Sequence, residues 1–550
     1  MSLQPQLVYL VPEETARIAR SAFPHGNVSM QMYDTLGTIF RDRDFVALFS
    51  TTGQPAESPV RVALATILQF AEGLSDRQAA DAVRSRIDWK YLLCLELTDP
   101  GFDHTVLSEF RSRLLAGEAE LLLFDTLLTQ FRELGLLKPH GRQRTDSTHV
   151  LAAIRALNRL ECVGETMRHA LNTLAVAAPD WLVAQSYAEW VDRYGPRLED
   201  YRLPEHQADR DTYAEIIGAD GLLLLRAIYA PTAPVWLREL RAVQTLRQVW
   251  VQNYTWVDQR LCWREATSIP PAELFINSPY DPEAHYAKKR STSWVGYKVH
   301  LTESCDDDTP HLITHVETTT APVADGAVVG CIHETLKEWD LLPDIHLVDT
   351  GYVDAELLAN SQQEYGVDLF GPARGDIHGQ ARAGKGFEAA QFRVDWEAEQ
   401  AICPAGCRSI SWTLAVDNRD NDVIKLKFAT TDCSVCVHLA DCTHSSPPRR
   451  TLTIRPRDQY LALQAARARQ TTEEFKEQYA ARAGIEGTLS QGIRAFELRR
   501  SRYIGLARTH LQNVLTATAM NFVRVSLWLS DTPRATTRQS AFQRLIAAAA

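Results

Sequence analysis

No stretch of this chain approaches the roughly 18 consecutive apolar residues that mark a membrane-crossing helix. The longest apolar run, around Leu222–Leu225, is interrupted by Arg226. No membrane span is expected. The amino terminus, MSLQPQLVYLVPEETAR, lacks the basic start and small-residue cleavage site of a secretory signal. The sequence therefore reads as soluble and cytoplasmic. It also lacks an excess of positive charge: 58 Lys and Arg stand against 69 Asp and Glu, a formal net charge of −11. That excludes a uniformly basic coat but leaves local basic grooves open, because charge acts where it is placed. Internal repeats and low-complexity linkers are absent, and the glycines and prolines are dispersed. The blocks of the chain are thus expected to pack together.

What is present fits a globular chain of several units. The 550 residues are 45% apolar, 9% aromatic and 23% charged, enough for each unit to bury a core. Ten cysteines are unevenly placed. Cys94, Cys162, Cys262, Cys305 and Cys331 are scattered and read as small buried hydrophobes. Cys403, Cys407, Cys433, Cys436 and Cys442 are clustered. A disulfide framework is a poor explanation in a large cytoplasmic chain. Cys403 and Cys407 form one pair, and Cys433 and Cys436 a second, 25 residues further on. Two such pairs suit a closed tetrahedral Zn²⁺ site of structural role. Cys442, His438 and His444 are further candidates for the fourth ligand, and unpaired thiols on a turn-rich surface are the alternative.

Periodicity divides the chain. Residues 1 to about 135 carry apolar residues at three- and four-residue steps, as in Val60–Phe70 and Leu121–Leu128, and predict helices. Ser75 and Thr105 are the expected N-caps of two short helices joined through Pro100-Gly101. These helices would display Arg77, Arg84, Arg86, Arg111 and Arg113. A DNA-binding helical domain is one reading, and a solvated helix face the other. Strand-like sequence follows at 141–152. Residues 153–263 return to helical patterning and hold six of the twelve tryptophans, which argues for a packed insertion. From about 290 the period is two: in WVGYKVHLTES, Tyr297, Val299 and Leu301 alternate with polar residues, and HLITHVETT follows after DDDTP as the second arm of a hairpin. A helix at about 325–339, a strand at Ile345–Val348, another helix and a strand at Val367–Phe370 complete an α/β unit with a mixed sheet. Residues from about 458 to 530 are helical, and the tail from 531 to 550 reads as flexible.

Three acids sit where elements deliver side chains to an edge. Asp146 lies on the first strand, and Asp349 directly follows the strand Ile345–Val348, with Gly351 close behind to turn the chain. Glu486 lies on a helical segment where Tyr479, Arg482 and Glu486 fall on one face at steps of three and four. Gly484 and Gly487 flank that face, each costing about 1 kcal/mol against alanine, and a close backbone approach would explain them. Three carboxylates from separate elements suit two divalent cations about 3.5–4 Å apart, an arrangement that drives phosphodiester displacement. Oxygen-only ligands favour Mg²⁺ or Mn²⁺. Solvated surface acids are the alternative for each.

At these residues the chain resembles a bacterial insertion-sequence transposase of the DDE class, in the branch with an InsH-type helical N-terminal domain. The strings DSTHVLAAIRALNRLECVGET, SPYDPEAHYAKKRSTSWVGYKVHLTES, HLVDTGYVDAELL and IEGTLSQGIRAFELRRSRYIGLARTHLQNVLTATAMNFVR carry the likeness in the right order. The resemblance implies an RNase H-like (retroviral integrase-type) catalytic core built from residues 136–152, 264–395 and 458–530. It implies a helical DNA-binding domain at 1–135, while the helical insertion at 153–263 and the Cys-rich zinc insertion at 396–457 are read from the residues themselves. It assigns the catalytic, metal-holding triad to Asp146, Asp349 and Glu486. In the family's glutamate-helix signature, Tyr, Arg and Glu have the spacing of Tyr479, Arg482 and Glu486. A Lys then follows at a place that is Ile493 here, with Arg494 the nearest cation. The activity implied is cleavage at terminal inverted repeats and strand transfer into target double-stranded DNA. A homodimer would form in the synaptic complex. A DNA-binding regulator without catalysis is the alternative. Local charge agrees: Arg449–Arg508 holds thirteen Lys and Arg against six Asp and Glu. Arg482, Arg494, Arg499, Arg500 and Arg502 are the phosphate-contact candidates there, joined by Tyr479 from the signature and by the knot Lys288, Lys289 and Arg290.

Overall fold

The computed structural model describes every residue except Met1, Gln4, Leu7, 377–378, 385–386, 534–539 and 550. The first block is helical. Its central helix, Pro59–Glu72, begins with Ser58 accepting from the Arg61 amide and Pro59 at the first helical position, and ends at the left-handed Gly73. Ser75 caps Asp76–Ser85 in a reciprocal box with Gln78. Thr105 is not the cap of the following helix: it is the first residue of Thr105–Ala116, and the Asp103 carboxylate accepts from its amide at 2.9 Å. Arg111, expected on the surface, is buried, because its guanidinium bonds Asp76 at 2.6 Å across the two helices. Arg86 is tied to Glu72 and Asp88, which leaves Arg77 and Arg84 exposed.

The sheet uses five main strands. They are β1 (Arg142–Leu151), β2 (Thr292–Ser304), β3 (Ile313–Thr320), β4 (Ile345–Leu347) and β5 (Asp368–Phe370). Their order across the sheet is β3-β2-β1-β4-β5. β1, β2 and β3 are antiparallel neighbours, whereas β4 joins β1 and β5 joins β4 in parallel. A short strand not foreseen from the sequence, His285–Lys289, pairs with the start of β2. Helices α1 (Val329–Glu338) and α2 (Ala355–Tyr365) make the crossovers between β3, β4 and β5. α3 (Gly484–Ala495) packs on β1, and α4 (Leu506–Leu529) lies against β3. α4 is buried along most of its length, polar residues included. Asn521 explains part of this: its amide donates to the Ile313 carbonyl at 2.7 Å and accepts from the Ile313 amide at 2.8 Å, covering backbone at the sheet edge.

One apolar cluster runs without a break from Phe40 and Leu68 of the N-terminal helices through Val299 and Leu301 of β2 to Leu515 and Phe522 of α4. The insertion has its own core, with Val163, Ile217, Leu246, Trp250 and Ile276 among its members, so it reaches past residue 263. Unforeseen strands also occur in the cysteine block: Ser409–Val416, Asp422–Phe428 and Thr451–Ile454 form a three-stranded antiparallel sheet over a small core. The tail, expected to be flexible, carries a helix at Ala541–Ala549. Among the described residues, no helix is long and apolar enough to cross a membrane.

Candidate active site

Asp146 sits mid-strand on β1, opposite Leu301 of β2. Its Oδ1 accepts from the Ser147 amide at 2.7 Å. Its Oδ2 lies 2.5 Å from Nη2 of Arg482, which arrives from a tight helical turn just before α3. The other guanidinium end, Nη1, reaches Glu486 Oε1 at 3.0 Å, one turn further on. Two acids 340 positions apart thus share one arginine. Asp349 follows β4 and holds its turn by accepting from the Gly351 amide at 2.7 Å. Burial raises the Asp146 carboxyl above the usual carboxylate range; Arg482 opposes the rise, and the charge of Asp349 adds to it. Burial also works against the Arg482 charge, but Asp146, Tyr479, Asp349 and Glu486 outweigh it and hold the guanidinium protonated. Asp146 and Glu486 thus bond Arg482 directly, and the charge of Asp349 acts on both Arg482 and Asp146.

Gly351 serves the site differently from the expectation. A Cβ there would lie 2.9 Å from Asp349 Oδ1 and 3.1 Å from Asp325 Oδ2, so its lack of a side chain leaves room for two carboxylates. Gly484 also has a packing reason: a Cβ would lie 2.0 Å from Arg144 Nη1. A Cβ at Gly487 would meet nothing within 4 Å, so no close approach among the described residues accounts for it.

Asp325 was missed in the sequence. It accepts from Lys298 Nζ at 2.7 Å and from Ser147 Oγ at 3.2 Å, with Lys289 Nζ at 3.4 Å. Burial would raise its carboxyl, but Lys298 and Lys289 hold it below the usual range. The available signal was Lys298, a lysine inside an alternating strand, which needs a buried anion if it faces the core.

The three carboxylates are not drawn tightly together. Among the described residues, one group of three or more potential ligands has all its ligand atoms within 4.8 Å, and it is His315, Glu317 and Cys331. Glu486 is 66% exposed against 13% for Asp146, so it is the more solvent-facing partner of Arg482. The donor set is oxygen only and partly buried, which fits hard divalent cations, and Arg482 holds the place between Asp146 and Glu486 that an ion would take.

The basic candidates divide by what they touch. Lys288, Arg290, Arg494 and Arg500 are exposed. Lys289 faces Asp325 and, through it, the acids. Arg499 donates to Thr148 Oγ1 at 2.8 Å. Arg502 is committed inward: it donates to the Leu74 carbonyl at 3.2 Å and lies over Phe70. Tyr479 stacks on Phe475, with ring centroids 5.3 Å apart. Arg482 bonds acids at both ends rather than presenting a free guanidinium.

Cys403, Cys407, Cys433, Cys436 and Cys442 line a single cavity, closed by Phe428 and Arg450. The Cys407 amide donates to Cys403 Sγ at 3.3 Å. Burial raises the Cys442 thiol; Arg450 opposes that, and Cys433, Cys403 and Cys436 add to it. His438 packs on Phe387 and His444 is exposed, so Cys442 is the better placed of the additional candidates.

Two family models match the chain. One, described as a transposase DDE domain, covers residues 402–526, a stretch that includes Tyr479, Arg482, Glu486 and the cysteine block. The other, described as a transposase domain (DUF772), covers residues 20–113 in the N-terminal helices. No curated protein and no solved structure matches. Both matches are to transposase domains, and together they indicate a DDE-type insertion-sequence transposase with an N-terminal DUF772 domain.

Proposed function

We propose that this transposase binds the terminal inverted repeats of its element and uses Asp146, Asp349 and Glu486 to cut and join DNA strands. The observation that carries the reading is the convergence of Asp146 from β1 and Glu486 from α3 on Arg482, within range of the charge of Asp349 at the end of β4. An RNase H-like core is supported by the strand order, in which an antiparallel trio is extended in parallel on the far side of its first strand. Asp146, Asp349 and Glu486 would hold two Mg²⁺ or Mn²⁺ ions. Bound there, the pair would activate the attacking oxygen and stabilise the leaving oxygen of an in-line displacement.

The chain's own groups do the rest. Arg482 keeps Asp146 and Glu486 paired and oriented before the ions arrive. Asp325, with Lys298 and Lys289, fixes the floor beside Asp349. Lys288, Arg290, Arg494 and Arg500 are exposed and suited to phosphate, and Arg499 stands beside them. Tyr479 braces the turn that carries Arg482. The cysteines Cys403, Cys407, Cys433 and Cys436, with Cys442 adjacent, would take one structural Zn²⁺. Joining two DNA ends requires two active sites, hence a homodimer at synapsis.

The test is cleavage and joining of a labelled duplex carrying the element's own end, with Mg²⁺ or Mn²⁺. Wild type should cut and join it, whereas Asp349→Asn should bind the duplex and do neither. Cleavage by the variant would mean that the acids are wrongly assigned. Binding by both proteins with cleavage by neither would favour a DNA-binding regulator.

A further inference from the structure

A second set of ligands lies on the opposite face of the sheet from Asp146. In the register, Asp146 pairs with Leu301 and Leu301 with Val316. Directly paired residues share a face, and their neighbours in sequence take the other. His315 and Glu317 flank Val316, so they point away from the Asp146 face. There they meet Cys331, from the first turn of α1. His315 Nε2 lies 3.8 Å from Glu317 Oε2, and Cys331 Sγ donates to the same oxygen at 3.5 Å. His315 is 6% exposed, and its Nε2 is buried without a hydrogen-bond partner among the described residues.

We propose that His315, Glu317 and Cys331 bind one Zn²⁺-type transition metal ion. Zinc bonds of about 2.0–2.3 Å at a tetrahedral angle separate ligand atoms by roughly 3.3–3.7 Å. The separations of 3.8 and 3.5 Å to Glu317 need only a few tenths of an ångström of adjustment, and the His315 and Cys331 ligand atoms lie within 4.8 Å of each other. The imidazole, carboxylate and thiolate donors select a borderline ion over Mg²⁺. An ion also gives the orphaned Nε2 a partner, and the Cys331 proton now shared with Glu317 leaves on binding. Cys331 is exposed, so the fourth position opens to water. Nearby, His510 from α4 bonds Thr318 and His300 bonds Tyr352, which leaves the three ligands as the set.

The site would join the strand and helix on either side of the 321–328 connection, which carries Asp325 beside Asp349. An ion there would clamp both ends of that connection without touching the catalytic acids.

Metal content and hydrogen exchange test this on the full chain, stripped of metal and reloaded with Zn²⁺ or Co²⁺ under reducing conditions. Wild type should bind one equivalent more than Cys331→Ser or His315→Gln. Any metal in the Cys403–Cys442 cluster is common to all three proteins and cancels. Zn²⁺ should slow amide exchange across 321–331 in wild type and not in the variants. Circular dichroism checks their folding, and Glu317→Gln replaces either variant that fails. Equal metal equivalents in wild type and folded variants, or exchange indifferent to Zn²⁺, would overturn the proposal.

Discussion

Glu303 has no exposed side-chain surface, yet it is a carboxylate. Arg144 donates to Oε1 at 2.7 Å, Arg524 to Oε2 at 2.8 Å, and Thr488 to Oε2 at 2.5 Å. The cluster joins β1, β2, α3 and α4. Arg144 also donates to the Ala481 carbonyl at 2.5 Å, fixing the turn that delivers Arg482. Glu303→Gln leaves two arginines facing a neutral group, and breaking a buried pair in this way costs about 3–5 kcal/mol. Urea unfolding at pH 7 should show that loss, and an unchanged midpoint would remove Glu303 from the framework. The pH dependence follows from the direction of the shift. Burial would raise the Glu303 carboxyl, but Arg524 and Arg144 hold it below the usual range. The group's stabilisation is therefore complete above the unfolded value of about 4.3 and is lost as pH falls through the lower folded value. The gap between wild type and Glu303→Gln should narrow only in that acid window.

At the scale of elements, the two glycines of α3 make opposite demands. Alanine at 484 places its Cβ 2.0 Å from Arg144 Nη1, so Arg144 or the helix must move. Overpacking of this kind costs about 1–3 kcal/mol. Alanine at 487 meets nothing within 4 Å and gains about 0.5–1 kcal/mol of helix propensity. Thermal unfolding should therefore move down for Gly484→Ala and up for Gly487→Ala. Two shifts of the same sign would mean that the Arg144 contact does not decide the glycine at 484. Loss of DNA cleavage in a stabilised Gly487→Ala would place the DNA backbone against that residue. Element-scale features of this sort were the legible ones. The hairpin of β2 and β3 showed in its period of two, the Ser75 cap in its residue type ahead of a helical run, and Asp349 in its place after an apolar strand. Asp325 and Glu303 did not show, because their partners are cations on other elements and one-dimensional spacing carries no trace of such pairing. Thr105 misled because it is already the first helical residue, its own amide and hydroxyl taken by Asp103 two residues earlier. The cysteine spacing marked a cluster, whereas the three-stranded sheet that holds it lay in short, mixed-period segments.

At the scale of the molecule, the change of pattern near residue 135 is not a change of core. Helix Pro59–Glu72 packs on α4, and α4 packs on β3, so the C-terminal helix lies between the N-terminal block and the sheet. Polar contacts repeat the connection: Arg502 bonds the Leu74 carbonyl, Arg111 lies over Tyr503, and Arg132 donates to the Trp339 carbonyl at 2.8 Å. Part of the apolar surface of the N-terminal block, that of Pro59–Glu72 above all, is thus buried against α4. The insertion differs, since its core is closed among its own helices. Unfolding should therefore divide the molecule by core and not by sequence block. Hydrogen exchange in rising urea should show Pro59–Glu72, β1 and α4 losing protection together, with Arg159–Ala177 and Arg241–Asn253 of the insertion losing it at a separate concentration. A fragment of residues 1–135 should lack the cooperative transition of the full chain. If that fragment folds with native-like protection, the shared core adds nothing to the stability of the N-terminal block. DNA held by that block would then be only loosely coupled to Asp146, Asp349 and Glu486. If it does not fold, α4 is the rigid link through which a bound DNA end is held in fixed relation to the carboxylates.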